Sequence, residues 1–160
     1  MGNKKSVLFV CLGNICRSPS AHGVFEDMVA QAGLAGMVSV DSAGTAAYHI
    51  GKSPDQRSSA AAANRGYDLS SLRARQVSAS DFEAFDYILA MDNENLANLQ
   101  AIAPQDYDGH LGLLLDFAQC VESEVPDPYY GGEAGFEHVL DLVENASMGL
   151  LVDIQKKLMA

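Results

Sequence analysis

The stretch that decides the fold lies near the amino terminus and reads Val7-Leu8-Phe9-Val10-Cys11-Leu12-Gly13-Asn14-Ile15-Cys16-Arg17-Ser18-Pro19. It begins with a continuous apolar run, which is typical of a strand buried on both faces of a parallel sheet. The run stops at Cys11, and the glycine and asparagine that follow predict a tight loop. Ser18 and Pro19 indicate the start of a helix, with Ser18 as its N-cap. The stretch therefore predicts a strand, a short loop and a helix in immediate succession.

The rest of the chain continues this alternation of apolar strands and helices with one apolar face. Beyond the first strand (6–11) we predict strands over 38–43, 86–91 and 111–115, and helices over 18–32, 55–65, 92–103 and 134–158. Parallel strands need helical crossovers, so this order predicts an α/β fold with a four-stranded parallel sheet and helices on both faces. Residues 1–160 are expected to form a single domain, because a chain of this length suits one hydrophobic core.

The loop after the first strand has the features of a phosphate-binding site. Backbone N–H groups between Leu12 and Arg17 can converge on one centre, and the following helix directs its positive end toward the same point. The Arg17 guanidinium carries paired N–H groups that match the oxygens of a phosphoryl group. The residues expected to bind phosphate are Leu12, Gly13, Asn14, Ile15, Cys16, Arg17 and Ser18.

Cys11 is the candidate nucleophile, since it lies at the carboxyl end of the first strand, and α/β proteins bind ligands at the carboxyl ends of their strands. A thiol attacks well only after losing its proton, and a helix N-terminus, an arginine and a hydroxyl all favour the thiolate. The first helix, Arg17 and Ser18 supply these three groups. The predicted chemistry has two steps, in which Cys11 attacks phosphorus and an alcohol leaves, and water then hydrolyses the thiophosphate.

The leaving oxygen in such a reaction needs a proton donor. The best candidate is Asp127, which stands between two prolines in a loop containing aromatic residues and glycine. An ordinary turn aspartate is the alternative interpretation of this residue. Tyr48, Tyr129 and Tyr130 are candidates for the walls of a slot for an aryl group, because tyrosine offers contact area with few rotamers to fix.

Charge and cysteine content argue against several other classes of function. The net charge is −11, and residues 81–160 contain two basic and sixteen acidic residues, so we expect no nucleic-acid partner. No segment approaches the ~20 apolar residues of a membrane span, and we expect no membrane partner.

Three irregularly spaced cysteines indicate a reducing, cytoplasmic setting. Neither metal nor cofactor is expected, since no cysteine spacing suits zinc and no Gly-Lys-Ser/Thr closes the loop. The four histidines, His22, His49, His110 and His138, show no spacing typical of a ligand set or a catalytic base.

The motif from Cys11 to Ser18, Cys-Leu-Gly-Asn-Ile-Cys-Arg-Ser, resembles the low-molecular-weight protein tyrosine phosphatases. Further segments resemble landmarks of that family in the same order, at 41–45 (Asp-Ser-Ala-Gly-Thr), 74–76 (Ala-Arg-Gln), 90–92 (Ala-Met-Asp) and 125–131 (Val-Pro-Asp-Pro-Tyr-Tyr-Gly). The resemblance covers essentially the whole chain and is strongest to bacterial members. It implies phosphotyrosine as substrate, no metal, and Asp127 as the general acid.

The resemblance also implies residues that support the loop. Asn14 and Ser42 are expected to hydrogen-bond each other and hold the curl of the loop, and Asp92 is expected beside the site. Many family members have a histidine near the position of Leu72, so a polar link from there to Asp92 is missing or replaced in this chain. The family often has a tryptophan at the position of Tyr48, so the substrate preference of this chain is expected to differ from that of those members. The expected partners are phosphotyrosine-containing proteins, with inorganic phosphate as product, and the expected state is a monomer or a weak dimer.

Three alternatives to a protein tyrosine phosphatase remain open. A thiol-dependent arsenate reductase shares the fold but needs resolving cysteines near residues 80–95, where this chain has none. The resemblance associates phosphoarginine specificity with a threonine at the position of Ile15, so Ile15 favours phosphotyrosine. A non-enzymatic phosphate-binding module is disfavoured because the nucleophile, the arginine and the acid are all present. Cys11 and Cys16 are also candidates for a protective disulfide under peroxide.

Overall fold

The computed structural model describes residues 4–129 and 132–159, apart from the side chain of Glu133. Its strands are β1 (Lys5–Cys11), β2 (Val38–Gly44), β3 (Tyr87–Ala90) and β4 (His110–Leu113). Its helices are α1 (Arg17–Gln31), α2 (Gln56–Asn64), α3 (Asp81–Ala84), α4 (Asn93–Ile102) and α5 (Glu133–Leu158), and a 3-10 turn (Leu114–Phe117) follows β4. The strands pair in parallel in the order β2-β1-β3-β4. The predicted four-stranded parallel sheet is confirmed.

The side chains of β1 point alternately into two apolar clusters on opposite faces of the sheet. Val7 and Phe9 belong to the larger cluster, which contains apolar residues of α1, α2 and α5. Leu8 and Val10 belong to the smaller cluster with residues of α3 and α4. Helices therefore cover both faces, as predicted, and this explains why β1 is a continuous apolar run rather than an alternating one.

The sheet topology places the site at the carboxyl ends of β1 and β3. The chain leaves β1 for β2 on one side and later enters β3 on the other side, which opens a crevice between the two connections. Cys11 ends β1, and Asp92 follows β3 as the N-cap of α4. The two residues therefore flank the same crevice although they are far apart in sequence.

Some element boundaries differ from the prediction. The N-cap of α1 is Cys16, so the prediction that Ser18 caps this helix is wrong. Ser18 lies in the first turn, where its hydroxyl faces the Cys11 sulfur instead. The fourth strand ends at Leu113 rather than at 115, because the chain turns there and the Asp116 carboxylate accepts from the Leu113 N–H. In the described part of the chain, no helix has both the length and the apolar character of a membrane span.

Candidate active site

Residues 11–18, the phosphate loop, curl around the sulfur of Cys11. The Asn14 N–H donates to Cys11 Sγ at 3.3 Å, and the Ser18 hydroxyl lies 3.0 Å from the same sulfur. Asn14 has a φ of 58°, in the left-handed region that asparagine tolerates better than most residues. Gly13 does not adopt a positive φ, so the left-handed step of the curl is taken by Asn14.

The side chain of Asn14 is held by two partners. Its Nδ2 donates to Ser18 Oγ at 2.8 Å, and its Oδ1 accepts from the Arg75 N–H at 3.0 Å. Ser42 Oγ instead lies 3.0 Å from Nδ1 of His22. The expected hydrogen bond between Asn14 and Ser42 is therefore wrong. Ser18 follows Asn14 by four residues, so α1 brings its hydroxyl within reach of the amide first.

The end of β2 presses against the phosphate loop. A Cβ atom at Gly44 would lie 2.7 Å from the carbonyl oxygen of Leu12 and 3.1 Å from the carbonyl carbon of Gly13. The next residue, Thr45, donates its N–H to the carbonyl of Cys11 at 2.9 Å. Only glycine allows this close approach, which anchors the loop to the neighbouring strand.

Arg17 lies buried beside Cys11, with its guanidinium fixed from behind. Nη1 donates to Asp92 Oδ2 at 2.7 Å and to the Val125 carbonyl at 3.0 Å. Burial lowers the pKa of Arg17, but the charges of the Cys11 sulfur and Asp92 raise it more, so its pKa lies above the ordinary value. The guanidinium therefore keeps its charge and its orientation at any physiological pH.

Asp127 lies at the solvent side of the same cleft. Its Oδ1 accepts from the Tyr129 N–H at 3.0 Å, and its Oδ2 lies 3.7 Å from Arg17 Nη2. The side chain is 43% exposed, so the carboxyl group faces both the buried guanidinium and bulk water. A group in this position can exchange its proton with solvent between turnovers.

A cleft of about 300 Å³ brings these groups together. Its lining residues are Cys11, Leu12, Gly13, Ile15, Cys16, Arg17, Tyr48, His49, Asp127 and Tyr129. The two tyrosines approach from different loops, and Tyr48 is 73% and Tyr129 38% exposed. Tyr130, the third predicted wall residue, lies outside the described residues.

His49 lines the cleft but was not predicted as a site residue. Its ring packs edge-on against Tyr48, with centroids 6.4 Å apart, and its Cδ2 atom would lie 2.9 Å from a Cβ at Gly13. Gly13 therefore makes room for this ring over the phosphate loop. The sequence offers one indication that His49 lines the cleft, which is that it directly follows Tyr48.

Cys16 is buried at the base of the cleft. Burial raises the pKa of its thiol to about 12, so Cys16 is protonated at neutral pH and is a poor nucleophile. The protective pairing of Cys11 with Cys16 stays a prediction, because all three cysteines are free thiols in this structure. Among residues 4–129 and 132–159, no group of three or more histidine, cysteine or acidic side chains is placed to hold a metal ion.

Comparison with known proteins gives one consistent family. Residues 6–160 match the family described as low molecular weight phosphotyrosine protein phosphatase. The chain is 44% identical to the low molecular weight protein-tyrosine-phosphatase YfkJ of Bacillus subtilis over 153 residues, covering 95% of this chain and 97% of that protein. The crystal structure of YfkJ is similar with a TM-score of 0.91.

Two further solved structures share the fold over nearly the whole chain. A protein tyrosine phosphatase from Entamoeba histolytica, with Hepes in its active site, is 42% identical with a TM-score of 0.92, covering 96% of this chain and 98% of that one. The Drosophila arginine phosphatase DARP is 32% identical with a TM-score of 0.87, covering 92% and 96%. The fold thus occurs in proteins named for two different phosphorylated residues.

Proposed function

The chain belongs to the low molecular weight protein-tyrosine-phosphatase family and is an enzyme of that class, and we propose that it hydrolyses phosphotyrosine in proteins through a phosphorylated Cys11. The observation that carries the proposal is the placement of three groups in one cleft. These are the Cys11 sulfur within the curled loop, the Arg17 guanidinium fixed by Asp92, and the half-exposed carboxyl of Asp127.

In the first step Cys11 attacks phosphorus, so that a P–S bond forms as the P–O bond to the tyrosine ring breaks. Asp127 gives its proton to the departing phenolic oxygen. The backbone N–H groups of residues 12–18 and the Arg17 guanidinium bind the three remaining oxygens, on which negative charge is spread in the transition state. These donors are held by protein contacts before substrate arrives, so little reorganisation accompanies the reaction.

In the second step the Asp127 carboxylate takes a proton from a water molecule, which attacks phosphorus and breaks the P–S bond. Inorganic phosphate and the Cys11 thiolate are released, and Asp127 is protonated again for the next cycle. The Ser18 hydroxyl, 3.0 Å from the sulfur, stabilises the thiolate as it leaves. Protons and electrons balance over the two steps without any cofactor.

Substrate choice is assigned to the walls of the cleft. Tyr48 and Tyr129 are proposed to pack on the two faces of the phosphotyrosine ring, with His49 beside Tyr48. Ile15 also lines the cleft, and its branched apolar side chain favours an aromatic substrate over the charged guanidinium of phosphoarginine.

The cellular setting follows from the thiol chemistry. The enzyme needs a reduced Cys11, and we propose that it works in the cytoplasm on phosphotyrosine-containing proteins, with no nucleic-acid or membrane partner. A single domain over residues 1–160, in a monomer or a weak dimer, stays the prediction.

The proposal is tested by rapid-quench kinetics with p-nitrophenyl phosphate. We expect a burst of p-nitrophenol equal to the enzyme concentration, and mass spectrometry of the quenched protein should place one phosphate on the peptide that contains Cys11. A competition among phosphotyrosine, phosphoserine and phosphoarginine peptides should favour phosphotyrosine. Phosphate on another residue, or faster release from phosphoarginine, would contradict the proposal.

A further inference from the structure

Arg57, near the start of α2, joins three parts of the structure that meet behind the active cleft. Its Nε and Nη2 donate to the two carboxylate oxygens of Asp55 at 3.2 and 3.1 Å. The same Nη2 donates to the backbone carbonyl of Tyr129 at 2.9 Å. The guanidinium carbon also lies 4.7 Å from the ring centre of Phe136 in α5 and 5.4 Å from that of Tyr129.

One end of this cluster rests on the phosphate loop. Asp55 is the N-cap of α2, and its carboxylate accepts the Arg57 N–H at 2.8 Å. The backbone N–H of Asp55 donates to the carbonyl of Ile15 at 2.8 Å. Burial raises the pKa of Asp55, but the Arg57 donors lower it more, so its pKa lies below the usual value and the carboxylate stays charged. The ion pair is therefore fixed relative to the phosphate loop.

The other end of the cluster reaches the acid loop, which we define as residues 125–129. The carbonyl of Tyr129 accepts from Arg57, and the N–H of Tyr129 donates to Oδ1 of Asp127 at 3.0 Å. A continuous chain of hydrogen bonds thus connects Ile15, Asp55, Arg57, Tyr129 and Asp127.

We propose that Arg57 is a positioning residue for the general acid: it fixes the height of the acid loop above the phosphate loop, so that the carboxyl of Asp127 reaches the leaving oxygen. The inference rests on the proposed role of Asp127. Arg57 does not line the catalytic cleft, so it acts through the loop and not on the substrate. A lysine cannot replace it, because the planar fork is needed to hold Asp55 and the Tyr129 carbonyl at once.

In the described part of the chain, the Asp127 carboxyl has few other contacts that fix its position. Within residues 4–129 and 132–159 its other polar contact is Arg17 Nη2 at 3.7 Å, beyond hydrogen-bond distance, and the side chain is 43% exposed. Without Arg57 the acid loop is free to shift relative to the phosphate loop. A displacement of about 1 Å at a catalytic group costs up to ~10²-fold in rate. Asp127 serves both steps, but only the first step involves the leaving group, so the loss in that step should depend on the leaving group.

The test compares substrates that differ in how much they need a proton on the leaving group. For Arg57→Ala we expect kcat/KM for phenyl phosphate and phosphotyrosine, which reports the first step, to fall by about tenfold to a hundredfold. For 2,4-dinitrophenyl phosphate, whose leaving group departs without protonation, we expect a fall of under about threefold. Arg57→Lys should behave like Arg57→Ala. The inhibition constant of inorganic phosphate should stay within about twofold, because the phosphate loop is unchanged.

Two controls separate positioning from folding. Arg65→Ala removes another arginine of the α2 region, which pairs with Glu137 and Glu144 of α5, and it should lower thermal stability without any dependence on the leaving group. Arg73→Ala removes an exposed arginine that, among the described contacts, donates only to the nearby carbonyls of Ser70 and Leu72. It should change neither the thermal stability nor the dependence of the rate on the leaving group.

A double-mutant cycle keeps this inference distinct from the proposed function. In an Asp127→Asn background, Arg57→Ala should cost nothing further, since the acid it positions is already gone. Equal losses on all substrates for Arg57→Ala, or additive losses in the double variant, would overturn the positioning role alone. A lack of leaving-group dependence in Asp127→Asn itself would overturn the assignment of the acid.

Discussion

The phosphate loop (residues 11–18) and the two wall loops (residues 45–49 and 125–129) line the same cleft but differ in burial and support. In the phosphate loop Asn14, Arg17 and Ser18 are at most 3% exposed, whereas Tyr48 is 73% and Tyr129 38% exposed. The side chains of Asn14, Arg17 and Ser18 form hydrogen bonds to other protein groups, while the side chains of Tyr48 and Tyr129 are exposed to solvent.

This difference is the reason to expect that the phosphate loop serves the reaction and the wall tyrosines serve substrate recognition. Buried, preoriented donors stabilise developing charge strongly because they need no rearrangement during the reaction. Exposed side chains adapt to the substrate and contribute contact area. Changes in the phosphate loop should therefore reduce turnover for every substrate, and changes at the wall tyrosines Tyr48 and Tyr129 should alter kcat/KM differently for each substrate.

The largest effect is expected for Cys11→Ser. Serine fits the same space, but its hydroxyl does not ionise near neutral pH, so turnover of p-nitrophenyl phosphate should fall by on the order of 10⁴-fold or more. Binding of inorganic phosphate, measured by protection against thermal unfolding, should persist because the donors are unchanged. Measurable turnover by purified Cys11→Ser would rule out the covalent route.

Asp127→Asn comes next, with an expected fall in kcat of about 10²–10³-fold on phenyl phosphate. The amide oxygen can keep the hydrogen bond to the Tyr129 N–H, so the loop should retain its conformation. Glu124→Gln is the matched control, because Glu124 lies close in sequence and accepts from the Asn93 N–H outside the cleft. If both variants lose activity equally, the effect belongs to the loop and not to a general acid.

Asp92→Asn tests whether the buried support of the phosphate loop matters beyond its own residues. The substitution weakens the 2.7 Å contact that orients Arg17, so kcat should fall by about 10–100-fold for all substrates and phosphate should inhibit less well. Glu94→Gln, at an exposed acid in the first turn of the same helix, should leave both values unchanged. An effect confined to one substrate would place Asp92 with the walls.

The phosphate loop could be predicted well from the sequence because its parts are local. The positions of Cys11, Arg17 and Ser18 follow from a strand, a short loop and a helix start within thirteen residues. The expected pairing of Asn14 with Ser42 failed for the same reason, since the local partner Ser18 takes the amide first.

The walls could not be predicted to the same degree, because they depend on which loops meet at the end of the sheet. The packing of His49 over Gly13 and the approach of Gly44 to Leu12 follow from the pairing of β2 with β1. The bond from Arg57 to the Tyr129 carbonyl spans 72 residues. No spacing within the chain signals such contacts.

A smaller effect is expected for Tyr48→Ala. Removing this exposed ring should lower kcat/KM for phosphotyrosine peptides by about 3–10-fold and change p-nitrophenyl phosphate less, because the small substrate makes fewer wall contacts. Ile50→Ala, another exposed apolar residue of the same segment at 57% exposure, is the matched control and should have no effect. A uniform loss on all substrates would contradict the assignment of substrate recognition to Tyr48 and of the reaction to the phosphate loop.

The smallest effect concerns His22, a buried histidine of α1 whose Nδ1 lies 3.0 Å from the Ser42 hydroxyl of β2. Burial lowers the pKa of His22, and the facing carboxylates of Glu26 and Asp41 only partly offset this. As pH falls below about 6.5, the unfolded chain takes up a proton here before the folded protein does, so stability should decrease. His22→Gln can keep a bond to Ser42 without titrating, and between pH 7.5 and 5.5 it should lose about 1–3 °C less in Tm than the wild type. Glu26→Gln removes a group that favours protonation, so its loss should be steeper than that of the wild type. Parallel curves for all three proteins would show that this buried histidine does not contribute to the pH dependence.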